Sequence, residues 1–345
     1  MSLINTRMQN MRTLSKIDKF ETRPSRYGAL DLFIQQTEDP TGIITPELQA
    51  KSIAAIGSVL EVPVIDFDST VTISNTRSVV IPDSENTSRM LQIVFATYSW
   101  GFTIVPAAHM NNEISIQRDF EAKFLKYLYA FAASLNTAAL AALNTDRTQV
   151  VRDKLDYAFA ASNLRATFLQ RMKLIGDLSP IMASNDFFGQ VHIVGNGGIE
   201  SHIRELAQSG LYNAENRQLQ YMDKVFHFTN QLTNAALTYG TGFAVNEGSV
   251  GMLTRFEREA VLGTRSATGH EWGIENLPML NIPVGTYFYE SVGDFSAIGG
   301  AATADLTRAR KEHHGFSADI AFVTPFISDR VNRAMPIIRF EVATT

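Results

Sequence analysis

The sequence predicts an α+β protein, on three observations. Residues 112–143 carry apolar side chains at helical spacing over an unusual length. Residues 61–110 and the C-terminal stretch alternate apolar and polar at the period of a strand. Between them, residues 147–260 mix both periods in short blocks. The chain has 345 residues, 45% hydrophobic and 19% charged, enough for one large domain or two ordinary ones around a sizeable core.

The elements follow in chain order. Residues 1–26 read as an irregular basic arm, with Arg7, Arg12, Lys16, Lys19, Arg23 and Arg26 against Asp18 and Glu21. Because the whole chain carries a net charge of −5, an acidic body follows this arm. A short helix is expected from Tyr27 to Gln36, broken by Asp39-Pro40-Thr41-Gly42. Thr45 and Pro46 open a second, to about Gly57, as cap and first helical residue.

Strand pattern then runs through Val71, Ile73 and Val79-Val80-Ile81 to a polar turn at Pro82-Asp83-Ser84-Glu85-Asn86. On the far side, Leu91, Ile93 and Phe95 share one phase, and Tyr98, Trp100, Phe102 and Ile104 the next. The slip at Ala96-Thr97 suggests a bulge. Two long strands around a polar tip make a long hairpin. A lone hairpin is marginal in water, so its apolar face needs cover from this chain or from another copy.

The helix over 112–143 has Asn112 as its cap and Phe120, Phe124, Tyr127, Phe131, Leu135 and Ala138 as its stripe. At about 1.5 Å per residue it spans roughly 48 Å. After it, a helix is expected over about 150–175, a strand at Gln190–Val194, a helix at Ile199–Ser209 and a strand at Lys224–Phe228. A strand pair is expected at Phe243–Val245 and Val250–Leu253. The closing strands are expected at Gly285–Glu290, Ser317–Val323 and Pro336–Val342.

Chemistry is sparse. With no Cys, thiolate metal sites, disulfides and cysteine nucleophiles are excluded. No signal-peptide pattern and no long uncharged apolar run is present, so a soluble cytoplasm-made protein without a membrane span is expected. The seven His residues show no metal-ligand spacing, and His313-His314 suits a loop. Gly195-Asn196-Gly197-Gly198 sits between a strand and a helix without either phosphate-loop signature, and reads as a turn needing positive φ. Val64-Ile65-Asp66-Phe67-Asp68-Ser69-Thr70 resembles the first motif of haloacid-dehalogenase-type phosphatases, in which Asp66 would be the nucleophile, Asp68 the general acid and Mg²⁺ the metal. No later strand supplies the acidic pair for that metal, so solvent-facing Asp residues on an edge strand are the plainer reading. No catalytic, cofactor-binding or metal residue is assigned, and the chain is expected not to be an enzyme.

Three stretches carry a family resemblance. Ala107-Ala108-His109-Met110-Asn111-Asn112-Glu113-Ile114-Ser115 leads into the long helix with Asn136-Thr137-Ala138-Ala139-Leu140. Gly242-Phe243-Ala244-Val245 accompanies Val250-Gly251-Met252-Leu253. The tail runs from Ala321-Phe322-Val323-Thr324-Pro325-Phe326 to Phe340. With the order of elements, these resemble the major capsid proteins of tailed bacteriophages, of the Hong Kong 97-type capsid fold. The resemblance implies an N-terminal arm at 1–62 and an extended loop at 63–111. It implies a spine helix with the first part of a peripheral domain at 112–160, an axial domain at 161–300, and a return to the peripheral domain at 301–345. It further implies self-assembly into hexamers and pentamers of an icosahedral shell enclosing double-stranded DNA. The expected location is the virion, assembled in a host cytoplasm. Portal and other head proteins, with scaffold or decoration proteins, are the other implied partners. An encapsulin-type compartment shell shares the same fold.

The family's crosslink between a loop Lys and an Asn is not expected, because no Lys lies between Ser69 and Asn111. Arg7, Arg12, Tyr27, Leu91, Phe95, Trp100 and Phe102 are the candidate subunit-interface residues. Tyr98, Trp100 and Phe102 fit a core or an interface equally well.

Overall fold

The computed structural model describes residues 3–14, 26–40, 42–54, 57, 59–65, 88–109, 112–208, 220–221, 224–263, 269–291, 310–327 and 330–344. The chain opens on a helix, α1 (Leu3–Leu14), where an irregular arm was expected. Its stripe is only Ile4, Met8 and Met11, all buried, so packing rather than propensity makes this helix. α2 (Gly28–Glu38) and α3 (Pro46–Ala54) fall where the turn signals place them, and Thr45 Oγ1 accepts the Leu48 N–H at 3.2 Å as the cap.

β1 (Val59–Ile65) pairs antiparallel with β2 (Ser88–Val94), from Val59 opposite Val94 to Ile65 opposite Ser88. The polar tip expected at Pro82–Asn86 and the strand residues Val71 to Ile81 lie outside the described residues. β3 (Ala96–Ile104) is not a continuation of this hairpin. The phase slip at Ala96 marks the end of one sheet and the start of another, rather than a bulge.

α4 (Glu113–Thr145) is the long helix. Asn112 Oδ1 accepts the N–H groups of Ile114 at 3.0 Å and Ser115 at 3.3 Å, which fixes its first turn. Asn112→Ala is expected to cost the unassembled chain about 1 kcal/mol in urea denaturation. An unchanged midpoint would show the cap to be idle.

The helix expected over 150–175 is instead a small hairpin, β4 (Ala158–Ala160) and β5 (Asn163–Ala166), followed by α5 (Arg171–Ser184). Its two-residue turn has Ala161 at φ 51 and Ser162 at φ 59, the left-handed pair that a type I′ hairpin requires. Then come β6 (Val191–Gly195), α6 (Gly197–Gln208), β7 (Gln220–Tyr221), β8 (Lys224–Phe228), β9 (Thr238–Asn246) and β10 (Gly251–Arg255). β9 and β10 enter different sheets and do not form the expected pair. α7 (Arg258–Leu262), β11 (Glu271–Asn276), β12 (Pro283–Ser291), β13 (Lys311–Val323) and β14 (Ile337–Ala343) complete the chain. None of the described helices is long and apolar enough to cross a membrane.

The chain forms two compact units, Met1–Pro24 with Ala96–Leu135 and Thr254–Ile320, and Ser25–Phe95 with Asn136–Leu253 and Ala321–Thr345. Residues 254–300 join β3 and the first part of α4, and the terminal strand joins β6 and β9.

In the first unit, β11, β12, β13 and β3 pair antiparallel in that order. One face of this sheet is aromatic core. Trp100 stacks on Phe316 at 4.1 Å, and Phe102 meets Phe120 of α4 at 5.4 Å. α1 lies on the same face, held by the buried pair of Arg7 and Glu312 at 2.8 Å.

In the second unit, seven strands run in the order β4-β5-β14-β9-β6-β8-β7. The C-terminal strand β14 lies between β5 and β9, parallel to the first and antiparallel to the second. Ile193, Ile338, Phe340 and Val342 face α5 and α6 in one core. On the other face sit α2 and the end of α4, joined by the fully buried Asn136. Its Oδ1 accepts the Leu30 N–H at 3.1 Å, and its Nδ2 donates to Thr229 Oγ1 at 3.0 Å and Gln231 Oε1 at 2.6 Å.

Candidate assembly surface

The inner face of the β1–β2 ribbon is covered by its own chain. Leu60, Ile93 and Phe95 are buried with Ile44, Leu253, Ala321 and Val323, and Leu91 packs against them. Strand alternation then sends the other phase outward. There, Val59 stands opposite Val94, Glu61 opposite Gln92 and Pro63 opposite Met90. Val94 is 64% exposed and Met90 57%. Gln92 Nε2 donates to Glu61 Oε1 at 3.2 Å, so this polar rung is internally matched. The ribbon therefore has two faces, and among the described residues only one packs against a hydrophobic cluster of the chain.

The seven interface candidates read from the sequence all meet partners in their own chain. Arg7 is buried on Glu312, and Arg12 donates to the Asn276 carbonyl at 2.5 Å. Tyr27 is buried under the Arg26 guanidinium, 5.2 Å from the ring centroid. Leu91 and Phe95 belong to the cover of the ribbon, and Trp100 and Phe102 to the aromatic core. The hydrophobic candidates of the ribbon region, Leu91 and Phe95, lie in the phase that the fold itself buries. The exposed phase was legible only as the alternate positions, Met90 and Val94.

A second, half-exposed face lies on the first unit, where a Cβ on Gly285 would stand 3.2 Å from Ala260 of α7. The outward side of its sheet carries His270, Trp272, Tyr287, Tyr289 and His313 as a ladder of rings. Trp272 and Tyr287 are 5.2 Å apart, and Tyr289 and His313 4.3 Å apart and nearly parallel. Burial raises the Tyr287 hydroxyl above its ordinary value and lowers the His313 imidazole, with Lys311 lowering it further. His313 and His314 are not in a loop. They point to opposite faces of β13, His314 into the core between Phe102, Phe120 and Phe288.

The glycine-rich turn does not need positive φ, since Gly195, Gly197 and Gly198 are not among the residues with it. Two of its glycines serve close packing instead. A Cβ on Gly195 would lie 2.8 Å from the Phe226 ring, and one on Gly198 would lie 2.1 Å from the Tyr239 carbonyl oxygen. The start of α6 is already capped, because Asn196 Oδ1 accepts the Ile199 N–H at 3.4 Å. Among the described residues no group of three or more His, Asp or Glu is placed to hold a metal. Asp66 and Asp68 lie outside the described residues.

No protein-family model matches the sequence, and no curated protein does. Solved structures do match. The cyanophage Pam1 capsid asymmetric unit aligns over 93% of this chain and 93% of that one, at 12% identity and a TM-score of 0.53. A chain from Mycobacterium phage Bobi aligns over 84% of this chain and 87% of that one, at 13% identity and a TM-score of 0.45. A chain from the capsid of Ralstonia phage GP4 aligns over 84% and 85%, at 8% identity and a TM-score of 0.45. The mixed helix-and-sheet fold is therefore that of a phage capsid chain, carried by the Pam1 likeness along nearly the whole length.

Proposed function

We propose that this chain is the major capsid protein of a tailed bacteriophage, of the Hong Kong 97 type. In this reading it assembles with copies of itself into hexamers and pentamers of an icosahedral shell enclosing double-stranded DNA. The observation that carries the reading is the agreement of fold with a phage capsid chain over 93% of both. The uncovered outer face of the β1–β2 ribbon supports it. That face is apolar, exposed and carried by a two-stranded element that gains from cover. In a ring of copies such a face would meet a different patch of the next copy, a head-to-tail contact that closes where the rotation allows.

We assign the ribbon to the extended loop, α4 to the spine, the seven-stranded unit to the axial domain, and the unit of β3, β11, β12 and β13 to the peripheral domain. Packaged DNA is met through non-specific contact only, since the acidic body repels phosphate. Portal and other head proteins, with scaffold or decoration proteins, are the further partners this role brings. The virion is the corresponding location.

Sedimentation velocity of the purified full chain tests self-association. Capsomer-sized or larger species are expected. A monomer that stays monodisperse as concentration rises would overturn the proposal.

A further inference from the structure

Three polar groups, the buried His192 and His227 and the half-buried Asp31, join α2 to the sheet of the second unit. Asp31 Oδ2 lies 3.0 Å from His227 Nδ1, and His227 Nε2 lies 3.1 Å from His192 Nδ1. His192 is 5% exposed and His227 4%, with ring planes within 19° of each other. The helix sits so close to β8 that a Cβ on Gly28 would stand 2.4 Å from the Phe228 carbonyl oxygen. A shift of α2 therefore has to break the Asp31–His227 contact. We propose that Asp31, His227 and His192 form an acid-sensitive latch that holds α2 against the seven-stranded sheet.

The hydrogen bonds set how many protons the latch tolerates. A carboxylate only accepts, so His227 Nδ1 carries a proton and donates it to Asp31. With both rings neutral, His192 Nδ1–H donates to His227 Nε2. With one added proton the two rings hold three protons, and one N–H···N bond still joins them. A second proton has no place. It would set N–H against N–H between two buried cations 3.1 Å apart.

The surroundings resist that second proton. Burial, then His227, lowers the His192 ring from 6.5 to about 4. Asp39, which follows α2, and Asp31 within it pull the other way. The neighbouring end of α4, Asn136–Thr145, has no charged residue. Farther along the same sheet face, Arg339 and Glu341 are paired at 3.1 Å. Undocking α2 brings water to the His192 ring and moves its titration back toward the ordinary value. The docked state therefore binds fewer protons, so its stabilisation is complete above pH 6.5 and is lost as pH falls from there to about 4.

Hydrogen exchange of the full chain, corrected for intrinsic rates, tests the latch. Between about pH 7 and about pH 4, opening at the α2 amides is expected to rise on the order of 100-fold, while amides of α5 on the opposite face keep their protection. His192→Asn keeps a neutral donor to His227, and its α2 opening is expected to stay flat across this window. A flat wild-type profile, or a variant that follows the wild type, would overturn the proposal. Should the variant fail to fold, an imidazole NMR titration of the wild type decides. A His192 midpoint near the ordinary 6.5 sinks the latch, and a midpoint near 4 that coincides with shifts in α2 sustains it.

Discussion

A chain carrying Met90→Asp and Val94→Asp is expected to fold as the wild type does and to form no shells. Both side chains are more than half exposed on the outer face of the ribbon, at 57% and 64%. In the free subunit, substitutions at such positions stay within about 0.5 kcal/mol. In an assembled contact, each aspartate would be buried without a partner, at a cost of about 3–5 kcal/mol apiece. Every copy repeats that cost, so assembly should fail as a whole. Thermal melting of the subunit and electron microscopy of the same preparation give the two readouts. An equal melting temperature with shells intact would remove the ribbon from the interface.

The second large effect is expected inside the fold. Gly198→Ala puts a Cβ 2.1 Å from the Tyr239 carbonyl oxygen and 3.0 Å from the Gly240 Cα. Both are backbone atoms of β9, held between β14 and β6, so the strand cannot yield without losing its ladder. α6 must lift away instead, and a loss of about 3 kcal/mol or more is expected, with poor solubility. The adjacent Gly197 is the control, because a Cβ there meets nothing within 4 Å. Gly197→Ala should remain within about 0.5 kcal/mol of the wild type in chemical denaturation. Similar losses at the two positions would contradict the packing described for this turn.

The contrast between these two glycines shows what could be read from the sequence and what could not. The turn itself was legible, and so were β8, the helices α2 and α3, and the terminal strand. α4 was legible to within two residues at either end, because its stripe is long and Asn112 is a strong cap. These signals are local. The demand for Gly198 comes from β9, some forty residues later, and no local pattern carries it. α1 escaped notice for the same reason. Its buried Arg7 meets Glu312 across 305 residues, so a residue that reads as solvated charge is in fact seated in a core. The β4–β5 hairpin hid because Ala161 and Ser162 take the left-handed pair of φ values without Gly or Asn. The slip at Ala96 was visible as a change of phase, but only the pairing of β3 with β13 showed that it separates two sheets.

The assembly surface was half legible. Period-two alternation correctly split the ribbon into two faces, and the more hydrophobic face drew the candidates. That face is the one the chain covers with Ile44, Leu253, Ala321 and Val323. Covering residues that far apart in sequence cannot be assigned from pattern alone. The less hydrophobic face carries the exposed Met90 and Val94, the face proposed for a neighbouring copy.

Electron microscopy of the purified full chain tests the central claim most directly. The account predicts closed icosahedral shells built from rings of copies. Dispersed single subunits at high concentration, or open filaments with no closed particle, would contradict it.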